Sequence, residues 1–192
     1  MPHAIRIHQT GGPEVLCWEE VDVPAPAAGE ATVRHQAVGL NFIDTYHRTG
    51  LYPLPLPAGI GLEGAGVVEA VGAGVSEVKV GDRVAYAGGP VGAYAEVRNI
   101  PAHRLLKLPK NIGFNTAAAM LLQGLTAAYL LRRTYRVQPG DTILIHAAAG
   151  GVEQPDEWDL PLPGPLVGPE LLAETAVAGA GRATPHGEVA RR

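Results

Sequence analysis

From residue 4 to about residue 108 the chain consists of short, valine-rich segments separated by glycine, proline or Asp-Arg turns. Segments so short and so regularly spaced cannot bury a helical face, and they specify an all-β barrel or sandwich. The predicted strands cover residues 4–8, 17–23, 31–38, 66–71, 83–87, 94–97 and 105–107. The pattern then changes. Residues 115–133 (NTAAAMLLQGLTAAYLLRR) are rich in alanine and leucine, with Asn115 placed as an N-cap and two arginines near the end, where cations suit the helix dipole. This predicts one or two helices. A turn at 137–140 (VQPG), a short apolar run at 141–146 (DTILIH) and a glycine-bearing turn at 147–152 follow. That is how a βαβ nucleotide fold begins, with a buried parallel strand leading into a phosphate-binding turn.

Beyond residue 152 the composition shifts again. Residues 153–192 hold six prolines and five glycines, no Ile, Phe, Tyr, Lys, Asn or Ser, and seven acidic residues against three arginines. A segment of this kind cannot repay its ordering entropy through apolar burial, so a disordered or appended tail is expected. It also supplies the whole net charge of -4, because residues 1–152 balance at twelve acidic against twelve basic. Such a charge offers no electrostatic footprint for nucleic acid or anionic lipid. No secretory n-region or h-region opens the chain and no apolar run approaches a membrane span, which predicts a cytoplasmic protein without a membrane partner. Cys17 is the only cysteine, so an internal disulfide and a multi-thiolate metal site are excluded. The seven histidines show no short ligand spacing and are expected to be surface or strand residues.

The strand-turn at residues 143–152 (ILIHAAAGGV) is the strongest local chemical signal, since glycines after a strand let backbone approach a pyrophosphate. Alone, a glycine pair fits an ordinary tight turn equally well. The wider pattern is more specific. Residues 12–16 (GPEVL), 39–44 (GLNFID), 61–72 (GLEGAGVVEAVG), 80–84 (VGDRV) and 92–96 (GAYAE) resemble, in order and spacing, the catalytic domain of medium-chain dehydrogenase/reductases. Residues 41–46 (NFIDTY), 122–127 (LQGLTA) and 146–151 (HAAAGG) resemble the zinc-independent quinone oxidoreductase branch related to ζ-crystallin. The resemblance covers residues 1–152.

It implies a mainly β GroES-like barrel over 1–114, an incomplete α/β Rossmann start over 115–152 and the tail over 153–192. It also implies NADPH:quinone oxidoreductase activity, with hydride passing from NADPH to a quinone without a metal. Zinc members of the superfamily place a His-Glu pair where this chain has Leu62-Glu63, and a cysteine where it has Asn41, so no metal ligand is carried over. By the same resemblance Asn41, Tyr46 and Tyr52 are the candidate catalytic residues. Asn41, Tyr46, Gln123, Gly124, Thr126, Gly150, Gly151 and Val152 are the candidate cofactor contacts. Asp44 reads equally as a helix N-cap, Asp44 and Arg48 as loop-fixing residues, and Gly81-Asp82-Arg83 as a turn. Departures begin at Glu153, Gln154 and Pro155, where the family continues into the helix that carries the pyrophosphate. A truncated chain is therefore expected, with weak NADPH binding, little quinone turnover and loss of the strands that form the family homodimer. Two alternatives stay open: an enoyl reductase of the same superfamily, and a non-catalytic barrel fragment that binds no nucleotide.

Overall fold

Alternation of small apolar and polar residues builds two antiparallel sheets in the computed structural model, which describes residues 1–142. Among the described residues the strands are β1 (His3–Ile7), β2 (Cys17–Glu20), β3 (Glu30–Gly39), β4 (Ala58–Gly59), β5 (Glu63–Val71), β6 (Arg83–Ala87), β7 (Val97–Pro101) and β8 (Leu106–Lys107). Helix α1 spans Phe42–Thr49 and α2 spans Phe114–Tyr129, the latter running into a π-helical turn at Leu130–Thr134. One sheet has the order β2-β1-β4 and the other β7-β3-β5-β6-β8. The chain divides into two units, Met1–Leu122 and Gln123–Arg192.

Within the first unit the main core lies inside the larger sheet, where Val33, Val68, Val84, Tyr86 and Ile100 are buried together. A second cluster, Ile7, Val15, Ala58 and Ile60, sits under the smaller sheet. Outside β5 and β6, Ala65 and Ala85 meet Ala117 and Ala118 from the first half of α2. Alanine on alanine brings helix backbone close to the strands, a contact that larger side chains would hold apart. Register is set by the longest pairing, β3 with β5, which is interrupted by a bulge between His35 and Ala37. Gly66 lies beside that bulge because a Cβ there would strike the carbonyl of Arg34.

Several expectations need correction. The strand expected at 94–97 runs instead over Val97–Pro101, and only an isolated bridge joins Ala4 to Ala95. Backbone at Tyr94 and Glu96 is spent on β1, through Ile5 N–H to Tyr94 O and Glu96 N–H to His3 O. β5 begins at Glu63 rather than residue 66, since Glu63 and Gly64 still pair with β6. The two-residue β4 carries no sequence signal. Helix α2 begins at Phe114, so Asn115 is within its first turn and is not its N-cap. Asn41, not Asp44, caps α1.

In the second unit α2 completes its course, and the π-helical turn closes with Tyr135 N–H on Leu130 O. A turn follows in which the Asp141 carboxylate accepts from Gln138 N–H at 2.8 Å and from the Tyr135 hydroxyl at 3.2 Å. Contrary to the expectation that no apolar run approaches a membrane span, Phe114–Thr134 is long and apolar enough to cross one by length and composition. The run is hard to see in the sequence because Gln123, Gly124 and Arg132 interrupt it.

Candidate functional site

Where β3 ends at Gly39, the chain turns into α1 through Leu40 and Asn41. Asn41 is an N-cap in extended conformation, and with Asp44 it makes a capping box. The Asp44 carboxylate accepts the Asn41 backbone N–H at 3.0 Å, satisfying one of the donors that a helix start leaves over. Gly50, with φ of 84°, ends the helix in the left-handed region that glycine tolerates. This short helix therefore has both ends fixed, and its first residue is held in one place.

Three further interactions build the site. The buried Asn41 side chain donates from Nδ2 to Glu63 Oε2 at 2.8 Å. Glu63 Oε1 accepts the backbone N–H of Leu122 in α2 at 2.7 Å. The Tyr94 hydroxyl donates to Asp44 Oδ2 at 2.7 Å. Burial pushes the Glu63 carboxyl above its ordinary range, opposed by the donors of Asn41 and Leu122. Burial and the Asp44 carboxylate push the Tyr94 phenol well above its ordinary value, so it stays a donor.

On the outer side of α1 aromatic rings gather. Phe42 and Tyr46 meet edge to face with centroids 5.3 Å apart, and Tyr46 and Tyr52 do the same at 5.3 Å. Phe42 is 74% exposed and Tyr52 48%. Tyr52 N–H bonds to Tyr46 O, fixing the second ring against the first. Thus Tyr46 and Tyr52 are brought together, while Asn41 caps the same helix with its side chain turned to Glu63. Arg48 holds the loop as expected, donating from Nε to Gly11 O at 3.3 Å. Gln123, Gly124 and Thr126 are placed on α2, in the second unit. Gly150, Gly151 and Val152 lie outside the described residues.

The histidines divide by environment. His35 is on β3 as expected of a strand residue, but His47 is buried on α1, with its ring 6.1 Å from that of Tyr52. Among the described residues no three His, Cys, Asp or Glu side chains converge as metal donors do. Moreover, Asn41 and Glu63 are hydrogen-bonded to each other. Purified protein is expected to contain far less than one zinc per chain by elemental analysis; one equivalent that survives dialysis would contradict this.

Sequence reading missed Glu63 and Tyr94 as members of the site. A signal was present for Glu63: it is a lone carboxylate within a run of small, apolar strand residues, where an ion needs partners. Tyr94 gave none, because nothing local ties residue 94 to residue 44.

The GroES-like domain of the alcohol dehydrogenases, as a family, matches residues 27–110. Quinone oxidoreductase of Pseudomonas aeruginosa is 56% identical over 153 residues, 79% of this chain and 47% of that protein. The structure of Escherichia coli quinone oxidoreductase complexed with NADPH is similar with a TM-score of 0.76 and 52% identity, covering 79% of this chain and 47% of that one. A 2-haloacrylate reductase from a Burkholderia species is 47% identical over 159 residues, again 79% of this chain and 47% of that protein. Over 79% of its length this chain is homologous to the quinone oxidoreductases, and it carries the alcohol dehydrogenase GroES-like domain. It spans about half the length of the curated relatives it matches.

Proposed function

We propose that this protein supplies the catalytic domain of an NADPH-dependent quinone reductase. The observation that carries the reading is Asn41, a buried amide held by Glu63 at the start of α1, beside an exposed cluster of aromatic rings. These residues fit the nicotinamide end of the cofactor. A flat ring can lie on Tyr46 and Tyr52, and a fixed amide can hydrogen-bond a ribose hydroxyl or a quinone oxygen. When bound, NADPH supplies the hydride. The chain's own residues bind and orient: the aromatic rings offer a flat surface, and Asn41 gives a polar group at a set position. By the same resemblance, Gln123, Gly124, Thr126, Gly150, Gly151 and Val152 are the remaining cofactor contacts. No nucleophile and no metal is needed for hydride transfer to a quinone. The reading places the protein in the cytoplasm, with a quinone as its partner.

Replacing Asn41 by alanine is expected to weaken NADPH binding roughly tenfold, the worth of about one hydrogen bond. Fluorescence titration of wild-type and variant protein measures it. Equal affinity in the two would remove Asn41 from the cofactor site, and no binding in either would favour the non-catalytic barrel.

A second reading is supported by the 2-haloacrylate reductase among the relatives. An activated alkene could replace the quinone against the same amide and rings. Turnover of a benzoquinone beside turnover of a simple enone separates the two.

A further inference from the structure

We infer that Glu63 is a positioning residue of this site: its Oε2 holds Asn41 Nδ2 while its Oε1 holds Leu122 N–H, and Glu63 so determines which way the Asn41 amide faces. The inference rests on the reading of Asn41 as the residue that meets cofactor or substrate.

A side-chain amide has an acceptor end and a donor end of nearly the same shape, and its neighbours decide which end points where. An ionised carboxylate only accepts. With Oε2 at 2.8 Å from Nδ2, the Asn41 amide is turned with its donor end toward Glu63. The other oxygen is committed to Leu122 N–H at 2.7 Å, so the carboxylate cannot rotate without giving up both donors. Glu63 is 1% exposed, and water is not at hand to replace either bond.

Backbone is shaped around this carboxylate. A Cβ at Gly39 would collide with the Glu63 carboxylate and with the Ala118 carbonyl. The strand β3, the helix α2 and the turn into α1 therefore all pack on one acidic group. Gly39 and Ala118 bring no charge to it, and the neighbour that acts on it electrostatically is Asp44 of α1. Asp44 is itself tied to the Asn41 N–H and the Tyr94 hydroxyl.

Glutamine at position 63 keeps the size but not the chemistry. It offers one oxygen for two donors, and its own NH2 would then face Asn41 Nδ2 or Leu122 N–H, donor against donor. The Asn41 amide must turn over or give up its bond to residue 63.

The test uses the full 192-residue chain labelled with nitrogen-15. In the wild type, the side-chain NH2 of Asn41 and the backbone N–H of Leu122 are expected to move together on acidification, with one shared midpoint above the ordinary glutamate range. In E63Q that shared titration disappears and the Asn41 NH2 resonance is displaced at neutral pH. NADPH affinity should fall in E63Q by the same factor as in N41A, roughly tenfold, with no further loss in the double variant. Resonances of Asn41 and Leu122 that titrate separately in the wild type, or an Asn41 NH2 unmoved by E63Q, would overturn the assignment. If E63Q fails to fold, the wild-type titration decides alone. Should the resonances behave as expected while wild-type protein binds no NADPH, the cofactor reading of Asn41 fails and the hold of Glu63 on Asn41 stands.

Discussion

Replacing Gly39 by alanine is expected to lower the thermal midpoint by roughly 10 °C. The added methyl has nowhere to go: it would collide with the backbone carbonyl of Ala118 and with the carboxylate of Glu63. Overpacking against backbone costs about 3 kcal/mol, because strand and helix must move apart rather than one side chain turn aside. A chain of this size loses a few degrees of thermal midpoint for each kcal/mol. The same displacement separates Glu63 from Leu122 N–H, so the Asn41 resonances should also shift. A midpoint within one or two degrees of wild type, by circular dichroism, would show that β3 and α2 are not packed as closely as described.

A comparable effect is expected from acid, through His35. Burial drives the imidazole of His35 down from 6.5 to about 4, helped by the Arg98 charge and opposed by its bond to the Ala95 carbonyl. Kept neutral, its Nδ1–H donates to Ala95 O at 2.6 Å, and its Nε2 accepts from the Tyr86 hydroxyl at 2.9 Å. Between those two pH values the unfolded chain binds a proton at this position and the folded chain does not. Stability is therefore full above about 6.5 and is lost as pH falls toward 4, by about 3 kcal/mol in all. His35→Gln can keep a donor and an acceptor in place without the proton. Urea unfolding at several pH values should show the acid-side loss in wild type and a much smaller one in this variant. Equal slopes for both proteins would mean that His35 is not held neutral in the fold.

Much of the barrel was legible because its strands are short and closed by residues with strong turn preferences. The Gly81-Asp82-Arg83 turn is one case: Gly81 has φ of 88°, and Asp82 N–H closes on Lys79 O, just ahead of β6. Cys17 likewise falls on a strand, exposed and without a partner thiol. Legibility failed where long-range pairing outweighs local pattern. Residues 94–96 alternate like a strand, yet their backbone is divided between β1 and the bulge of β3. Helix α1 was overlooked as an element because eight residues leave little room for periodicity, although Asn41, Asp44 and Gly50 together spell its two ends. Of the candidate residues, the resemblance led to Asn41, Tyr46 and Tyr52, whereas the network that holds Asn41, made by Glu63, Asp44 and Tyr94, comes from three separate stretches of chain. Such partnerships are made by the fold and leave little trace in spacing.

If the described residues carry the substrate side of a quinone reductase, a chimera will reduce quinone through them. Residues 1–142 of this chain would replace the corresponding residues of the Pseudomonas aeruginosa relative, and NADPH-dependent reduction of 1,4-benzoquinone would be followed at 340 nm, on the order of routine practice for a nicotinamide cofactor. The expected result is steady turnover that falls at least roughly tenfold when Asn41 is replaced by alanine. A folded chimera that binds NADPH but reduces no benzoquinone, or one whose turnover is indifferent to Asn41, would contradict the account.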